Sequence, residues 1–385
     1  MVVVLHPGEV VVLTSRGGAV STVRGAGGRA FVLAGRRVIL TGPPGDDRRL
    51  ITDYEQARRF LVDPRQRRAS LLQVPSGPAS AMSVTDMDAP QHTRVRALLS
   101  AAFSHRAVER RLPAMEYRAR ALAEGMRAAG PCRDALAEFC VPFAYAVHCD
   151  LLGVPEHARQ TLYRRSCARS QRPDADGVAL YRAELALHSA VGELLDHHDV
   201  HPGLLRDLLG VHRSGALEAD ELKGLAASLF FDGHILAANQ LANALMCLFA
   251  HQHWMAGLIA EPALLDPTVE ETLRFSPAIT VGMTRVDAAG VRTAVAFGPA
   301  NRDSNVFQAP NRFDPTRTGP RHLSFGLGPH HCLGAALMRA ELRVALTTLL
   351  THLPGLRPAV EDRGLSWTST GTVRGLIDLP LTWDR

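Results

Sequence analysis

The sequence predicts a mainly α-helical protein with a small β component. Between residues 107 and 246 the apolar pattern is mostly helical, and residues 221–250 read as one long helix. Extended runs are few and short, confined to the amino-terminal stretch and the region near 280–298. The chain has 385 residues, 46% of them hydrophobic, enough for a large core; length alone would fit two or three domains.

In chain order, a Val-rich start is broken at once by His6-Pro7-Gly8. It lacks a basic leader and is far short of a membrane span, so the expectation is a cytoplasmic protein with no anchor and no signal. Ala30-Phe31-Val32-Leu33 and Val38-Ile39-Leu40 read as strands. Gly42-Pro43-Pro44-Gly45, Pro75-Ser76-Gly77-Pro78 and His201-Pro202-Gly203 mark breaks. After Cys332, residues Leu342, Leu346, Leu349 and Leu350 share one helical face that Pro354 ends. Six scattered cysteines show no paired spacing, which suits reduced thiols. The net charge is +5, but the arginines are scattered without interleaved aromatics, which argues against nucleic acid.

The most informative stretch is Phe325-Gly326-Leu327-Gly328-Pro329-His330-His331-Cys332-Leu333-Gly334. It places one cysteine in a glycine-rich loop just before a long apolar run. A thiolate is a strongly donating metal ligand, and backbone amides in such a loop can hold the sulfur as an anion. Gly326 and Gly328 permit a tight fold, and Gly334 removes a side chain where a flat group would have to approach.

This stretch resembles the heme-binding signature of the cytochrome P450 family at every fixed position. The resemblance implies a single P450 domain over residues 1–385, a mainly α fold around a buried heme b, and Cys332 as the iron ligand. Glu271-Thr272-Leu273-Arg274 is similar to the family's Glu-x-x-Arg, whose two side chains share a helix face. In the family a third arginine joins that pair to brace the cysteine loop; Arg317 or Arg312 would be that member. Asp88-Ala89-Pro90-Gln91-His92-Thr93-Arg94-Val95-Arg96 resembles the segment whose histidine and arginine bind the heme propionates. Four residues apart on a helix, His92 and Arg96 would aim at one anionic edge. Arg285 and His330 stand where the family places two more propionate partners.

Two departures from the family pattern bear on the chemistry. The helix over the heme usually carries an acid and an alcohol that relay protons to dioxygen. Here the run is Asp232-Gly233-His234-Ile235-Leu236, so Ile235 replaces the acid and Leu236 the alcohol, and neither can carry a proton. Asp232 stands where a small residue normally faces substrate; it is expected to bind a polar or basic substrate group or to move a proton. His234 is expected to point away. The second departure is a shortened stretch between Arg285 and Asn301, which trims a hairpin beside the pocket.

Three functions are compatible with these residues. The first is an oxygen-dependent monooxygenase of bacterial secondary metabolism with non-standard proton delivery, acting on a small or carrier-bound natural product. The second is a redox-neutral or peroxide-dependent heme-thiolate enzyme performing a rearrangement, dehydration or nitrene-like transfer. The third is a non-catalytic heme protein recruited by a biosynthetic complex, against which the intact heme motifs weigh. Arg65-Gln66-Arg67-Arg68, Arg110-Arg111, Arg339 and Arg343 could dock an acidic ferredoxin, and a carrier protein is a further expected partner. Residues 71–87, 166–185 and 277–283 would line the pocket, with Ile279, Val281 and Met283 forming an apolar wall.

Overall fold

A computed structural model describes residues 48–68, 83–170, 177–196, 200–360, 365–369 and 372–384, together with the backbone of three earlier strands. The strand-like start at residues 1–8, residues 39–40 of the run ending at Leu40, the breaks at 42–45 and 75–78, and residues 71–82 and 171–176 of the expected pocket lining lie outside the described residues.

The elements run β1 (Thr22–Gly25), β2 (Gly28–Leu33), β3 (Arg36–Val38), β4 (Arg49–Ile51), α1 (Tyr54–Val62), β5 (Arg67–Arg68), α2 (Gln91–Ser100), α3 (His105–Glu109) and α4 (Leu112–Ala129). Next come β6 (Arg133–Asp134), α5 (Val141–Leu152), α6 (Glu156–Ser170), α7 (Gly177–Asp196), α8 (Leu204–Arg213) and α9 (Ala219–Ala250). The last part holds α10 (Gln252–Ala260), α11 (Leu265–Phe275), β7 (Arg285–Val286), β8 (Arg292–Val295), α12 (Phe297–Ala300), α13 (Ala335–His352), β9 (Arg357–Pro358), β10 (Trp367–Ser369), β11 (Arg374–Leu376) and β12 (Pro380–Thr382). Helix dominates and the strands are short, as the sequence predicts.

The chain divides into two compact units, each assembled from three separate segments. One holds residues 1–69, 263–331 and 367–375; the other holds 70–262, 332–366 and 376–385.

The first unit is built on a four-stranded sheet ordered β4-β8-β7-β5. β4 runs parallel to β8, with Ile51 opposite Val295, while β7 pairs antiparallel with both β8 and β5. The turn joining β7 to β8 is tight because the Asp287 carboxylate accepts from the amides of Ala289 (2.9 Å) and Val291 (3.0 Å). Gly290 takes the left-handed angle (φ 79°) that the turn requires. α1 starts where Asp53 accepts from the Gln56 amide at 2.7 Å. It buries Tyr54, Ala57 and Leu61, at helical spacing, against Val295, Phe297, Phe307 and Leu323.

The second unit is a helical bundle around α9, on which α5, α7, α8, α10 and α13 pack; α4 lies on α5 and α13. By length and composition α9 is apolar enough to cross a membrane, but 67% of its most apolar window is buried in the fold, so its apolar surface is core. It begins with a reciprocal cap in which Glu218 and Glu221 each accept from the other's backbone amide. A small antiparallel sheet, β6-β12-β9, closes this unit.

A candidate heme-thiolate site

In the helical unit Cys332 lies three residues before α13, whose first turn presents its backbone amides toward the cysteine. The Gly334 amide bonds to the sulfur, and the Cys332 carbonyl accepts from Ala335 at 3.4 Å. A Cβ added at Gly334 would stand 4.0 Å from Sγ. Burial pushes the thiol up, the Gly334 amide, Arg96 and Arg339 pull it down, and Asp232 pushes it up again. Cys332 as a residue nevertheless keeps accessible surface. Burial likewise lowers the Arg96 guanidinium, and Cys332 raises it.

α9 has two distinct sides at its middle. Asp232, Ile235, Leu236 and Asn239 are half-buried on one side, and Phe230, His234 and Ala237 are buried on the other; Gly233 lies at the boundary. Asn239 donates to the Ile235 carbonyl at 2.9 Å. Asp232 is close enough to the sulfur to influence it electrostatically. His234 points into the core: its Nδ1 lies 2.7 Å from the Phe230 carbonyl and its Nε2 3.2 Å from Ser166 Oγ.

α2 is fastened to the start of α9. Arg94 bonds to Glu221 and, at 2.8 Å, to the Ala216 carbonyl, and Gln91 donates to Glu221 at 3.0 Å. His92 and Arg96 fall on another side of α2, with His92 buried and Arg96 half-buried.

The other unit carries the loop before the cysteine. Gly326 and Gly328 take left-handed angles (φ 66° and 75°), and a Cβ at Gly328 would meet Val62 and Leu61 at 3.1 and 3.2 Å. Phe325 is buried beside the rings of His322 and His331. His330 is half-buried in a single tight turn of helix, Gly328–His330. The buried Arg285 donates to the Leu61 carbonyl at 3.0 Å and lies over the Phe60 ring.

Glu271 and Arg274 form two bonds of 2.7 Å. Arg274 also donates to the carbonyls of Asn301 and Pro310 (both 2.9 Å) and Arg312 (3.2 Å), and the Asp314 amide donates to Glu271 at 2.8 Å. The Arg317 guanidinium lies 3.5 Å from Glu271, whereas Arg312 contributes its backbone carbonyl. From there Asn301 donates to Ser324 Oγ at 2.8 Å and accepts from the Leu323 amide at 2.7 Å, and Ser324 donates to the Leu273 carbonyl. The brace thus reaches the residue before Phe325. Ser324 and Asp314 were not singled out by the sequence; Asp314 sits within the run that holds both candidate arginines.

The donors present fit a heme. Among the described residues no group of three or more His, Cys, Asp or Glu could hold a bare ion. A metal bound at Cys332 must bring its other ligands, as iron in a porphyrin does. The flanking amide and arginines suit a thiolate, and the glycine beside the sulfur leaves room for a flat ring.

Comparison with known proteins agrees. A sequence profile of the cytochrome P450 family matches residues 202–354. Nocardicin C N-oxygenase of Nocardia uniformis subsp. tsuyamanensis is 33% identical over 364 residues, covering 89% of this chain and 91% of that one. The crystal structure of mycinamicin VIII C21 methyl hydroxylase from Micromonospora griseorubida, bound to mycinamicin VIII, shares 31% identity at a TM-score of 0.80, over 87% of this chain and 90% of that one. A crystal structure of P450BioI in complex with a fatty-acid-loaded acyl carrier protein shares 27% identity at a TM-score of 0.80, over 90% and 94%. The chain belongs to the cytochrome P450 family. It is a heme-thiolate oxidoreductase of the bacterial tailoring type, and its cofactor is heme b.

Proposed function

We propose that the protein is a heme-dependent oxygenase of bacterial secondary metabolism whose protons reach the reaction by a route other than the usual acid and alcohol. One observation carries this reading: Asp232, Ile235 and Leu236 share the half-buried side of α9, and Asp232 lies close enough to Cys332 to influence it electrostatically. When bound, heme supplies the electron and dioxygen chemistry, which a thiolate ligand tunes. Cys332 would hold the iron, with the Gly334 amide and Arg339 favouring its anion. By resemblance to the family, His92, Arg96, Arg285 and His330 would bind the propionates. Glu271, Arg274 and Arg317 would brace the loop. Ile235 and Leu236 keep the α9 face apolar and exclude water. Asp232, on the same face, would bind a polar or basic substrate group or hold a proton for it.

The chemistry named for the relatives above supports a small natural-product substrate, free or carried on a protein; a cytoplasmic setting is part of the same proposal. Arg110 and Arg111, between α3 and α4, and Arg339 and Arg343 on α13 lie on elements that pack together and would receive an acidic ferredoxin. A second reading, a redox-neutral transformation, draws on Ile235 and Leu236, since such a reaction needs no relay at that position.

The test is turnover of a candidate substrate with and without an electron donor, in wild type and in Asp232→Asn. The oxygenase reading expects turnover only with the donor. It also expects a loss of roughly tenfold or more in the variant, the scale of one buried charged contact, with heme spectra unchanged. Donor-independent turnover would favour the second reading, and unchanged turnover in Asp232→Asn would remove that residue from the site.

A further inference from the structure

α2 carries two of the four candidate propionate partners, His92 and Arg96, yet by its own sequence it is a poor helix. Its ten residues, Gln91–Ser100, hold two arginines and a histidine and no acid. Pro90 at its N-cap makes no side-chain bond, so within the helix no capping oxygen and no carboxylate meets the first amides and the positive end of the dipole. A helix this short is marginal without outside support. Part of that support is apolar, since Val95 and Leu99 are fully buried. The charge comes from another helix. Glu221, in the first turn of α9, is 5% exposed, and its Oε1 accepts from Gln91 Nε2 at 3.0 Å and from Arg94. Its Oε2 accepts from the Glu218 amide at 3.3 Å within the α9 cap. One carboxylate thus serves the starts of two helices. Arg94 also reaches the Ala216 carbonyl, just ahead of that cap, at 2.8 Å.

Gln91 and Arg94 are three residues apart and share one side of α2. His92 and Arg96, four apart, share another, turned from the first by roughly 150° on a regular helix. Arg96 on that second side lies close enough to Cys332 to feel its charge. Glu221 therefore grips α2 on the side away from the two cations that would meet the heme. We propose that Glu221 is a positioning residue for the cofactor: through Arg94 and Gln91 it fixes the rotation of α2, so that His92 and Arg96 face the propionates. The proposal rests on the reading of those two residues as propionate partners. Glu221 acts through α2, which it holds formed and turned in advance, so that binding heme does not have to order the helix. Its loss should then appear as faster heme release.

Heme transfer from the holoenzyme to an excess of apomyoglobin measures this. Glu221→Gln keeps a side-chain oxygen for Gln91 and for the α9 cap but removes the charge. Arg94→Met removes the partner at a position whose side chain is 44% exposed. Each should release heme roughly tenfold faster, the scale of one charge-assisted bond. The double variant should be no faster than either single one, because both break the same bond. Arg94→Lys keeps a charge beside Glu221 and should recover most of the loss. The carbon monoxide spectrum should stay as in wild type throughout. Glu218→Ala is the control for a purely structural role: it breaks the α9 cap and leaves the Arg94 pair in place, so it should lower the melting temperature yet release heme at the wild-type rate. Wild-type release from both Glu221→Gln and Arg94→Met, additive effects in the double variant, or release from Glu218→Ala as fast as theirs would overturn the proposal. Arg96→Ala separates it from the reading beneath it. If Arg96→Ala releases heme no faster than wild type, the propionate reading falls and the proposal with it; fast release from Arg96→Ala with wild-type release from Glu221→Gln removes Glu221 alone.

Discussion

Gly233→Ala is a one-carbon change whose effect should reverse with its neighbour. The new Cβ would lie 2.0 Å from the His148 ring, where ordinary contact begins near 3.4 Å, so the ring must retreat by about 1.4 Å. It is held on its other edge by the Ala144 carbonyl at 2.9 Å and Glu341 at 3.4 Å. Overpacking of this kind costs about 1–3 kcal/mol, and loss of the Nδ1 bond about 1 kcal/mol more. Alanine returns about 1 kcal/mol as the better helix former. Gly233→Ala should therefore destabilise by about 1–3 kcal/mol, lowering the melting temperature by a few degrees. Placed on a His148→Ala background, the same change should stabilise by up to about 1 kcal/mol, because only the helix term remains. Denaturant unfolding of the four proteins measures this cycle. If Gly233→Ala is harmless in wild type, or costs the same with and without His148, the packing of α5 against α9 described above is wrong.

Further outcomes follow from the buried charges. Arg274 is 2% exposed and donates five times, to Glu271 and to three carbonyls. Arg274→Ala strips the buried Glu271 carboxylate of its two shortest charged bonds and leaves three carbonyls without their donor, and should cost about 3–5 kcal/mol, with heme lost on gel filtration; a variant with full heme and a wild-type melting curve would refute the bracing. The pH profile of stability should peak near 6.5 in its contribution from three core groups. Burial holds His148 and His234 at about 4, against an ordinary 6.5, so between those values the unfolded chain binds protons the folded chain refuses, and stability rises with pH. Burial raises Glu341, so above about pH 4.5 the folded chain keeps a proton the unfolded chain loses, and this term falls with pH. Two histidines outweigh one glutamate below about 6.5, and Glu341 acts alone above it. Each limb should slope by up to about 1.4 kcal/mol per pH unit, and Glu341→Gln should abolish the fall between about pH 6.5 and 8, below the range where the raised buried thiols and tyrosines add their own; an unchanged fall over that range in the variant would show that Glu341 is not protonated in the fold.

What could be read from the chain was what is local. The cysteine loop is legible because its glycines, histidines and cysteine sit within ten residues and each answers a backbone or ligand requirement. α9 is legible from its length and continuous apolar character, and the short β7–β8 hairpin from the small separation of Arg285 and Asn301. Glu271 and Arg274 are legible because three residues on a helix share a face. The choice between Arg312 and Arg317 was not, since both lie in one irregular run, and only the folded backbone puts the guanidinium of Arg317, with the carbonyl of Arg312, at the brace. The contact of His148 with Gly233 and Glu341 was illegible for a stronger reason. The three stand on three helices far apart in sequence, and nothing in their local composition distinguishes a buried partner from an ordinary helix residue.

The central claim is that Cys332 is the thiolate that holds the heme iron, and the carbon monoxide spectrum of the reduced protein tests it most directly. Wild type should show the red-shifted Soret band that thiolate ligation produces, Cys332→Ala should lose it, and Cys332→His should give a histidine-type spectrum. A Cys332→Ala protein that keeps the red-shifted band would contradict the assignment and the site built around it.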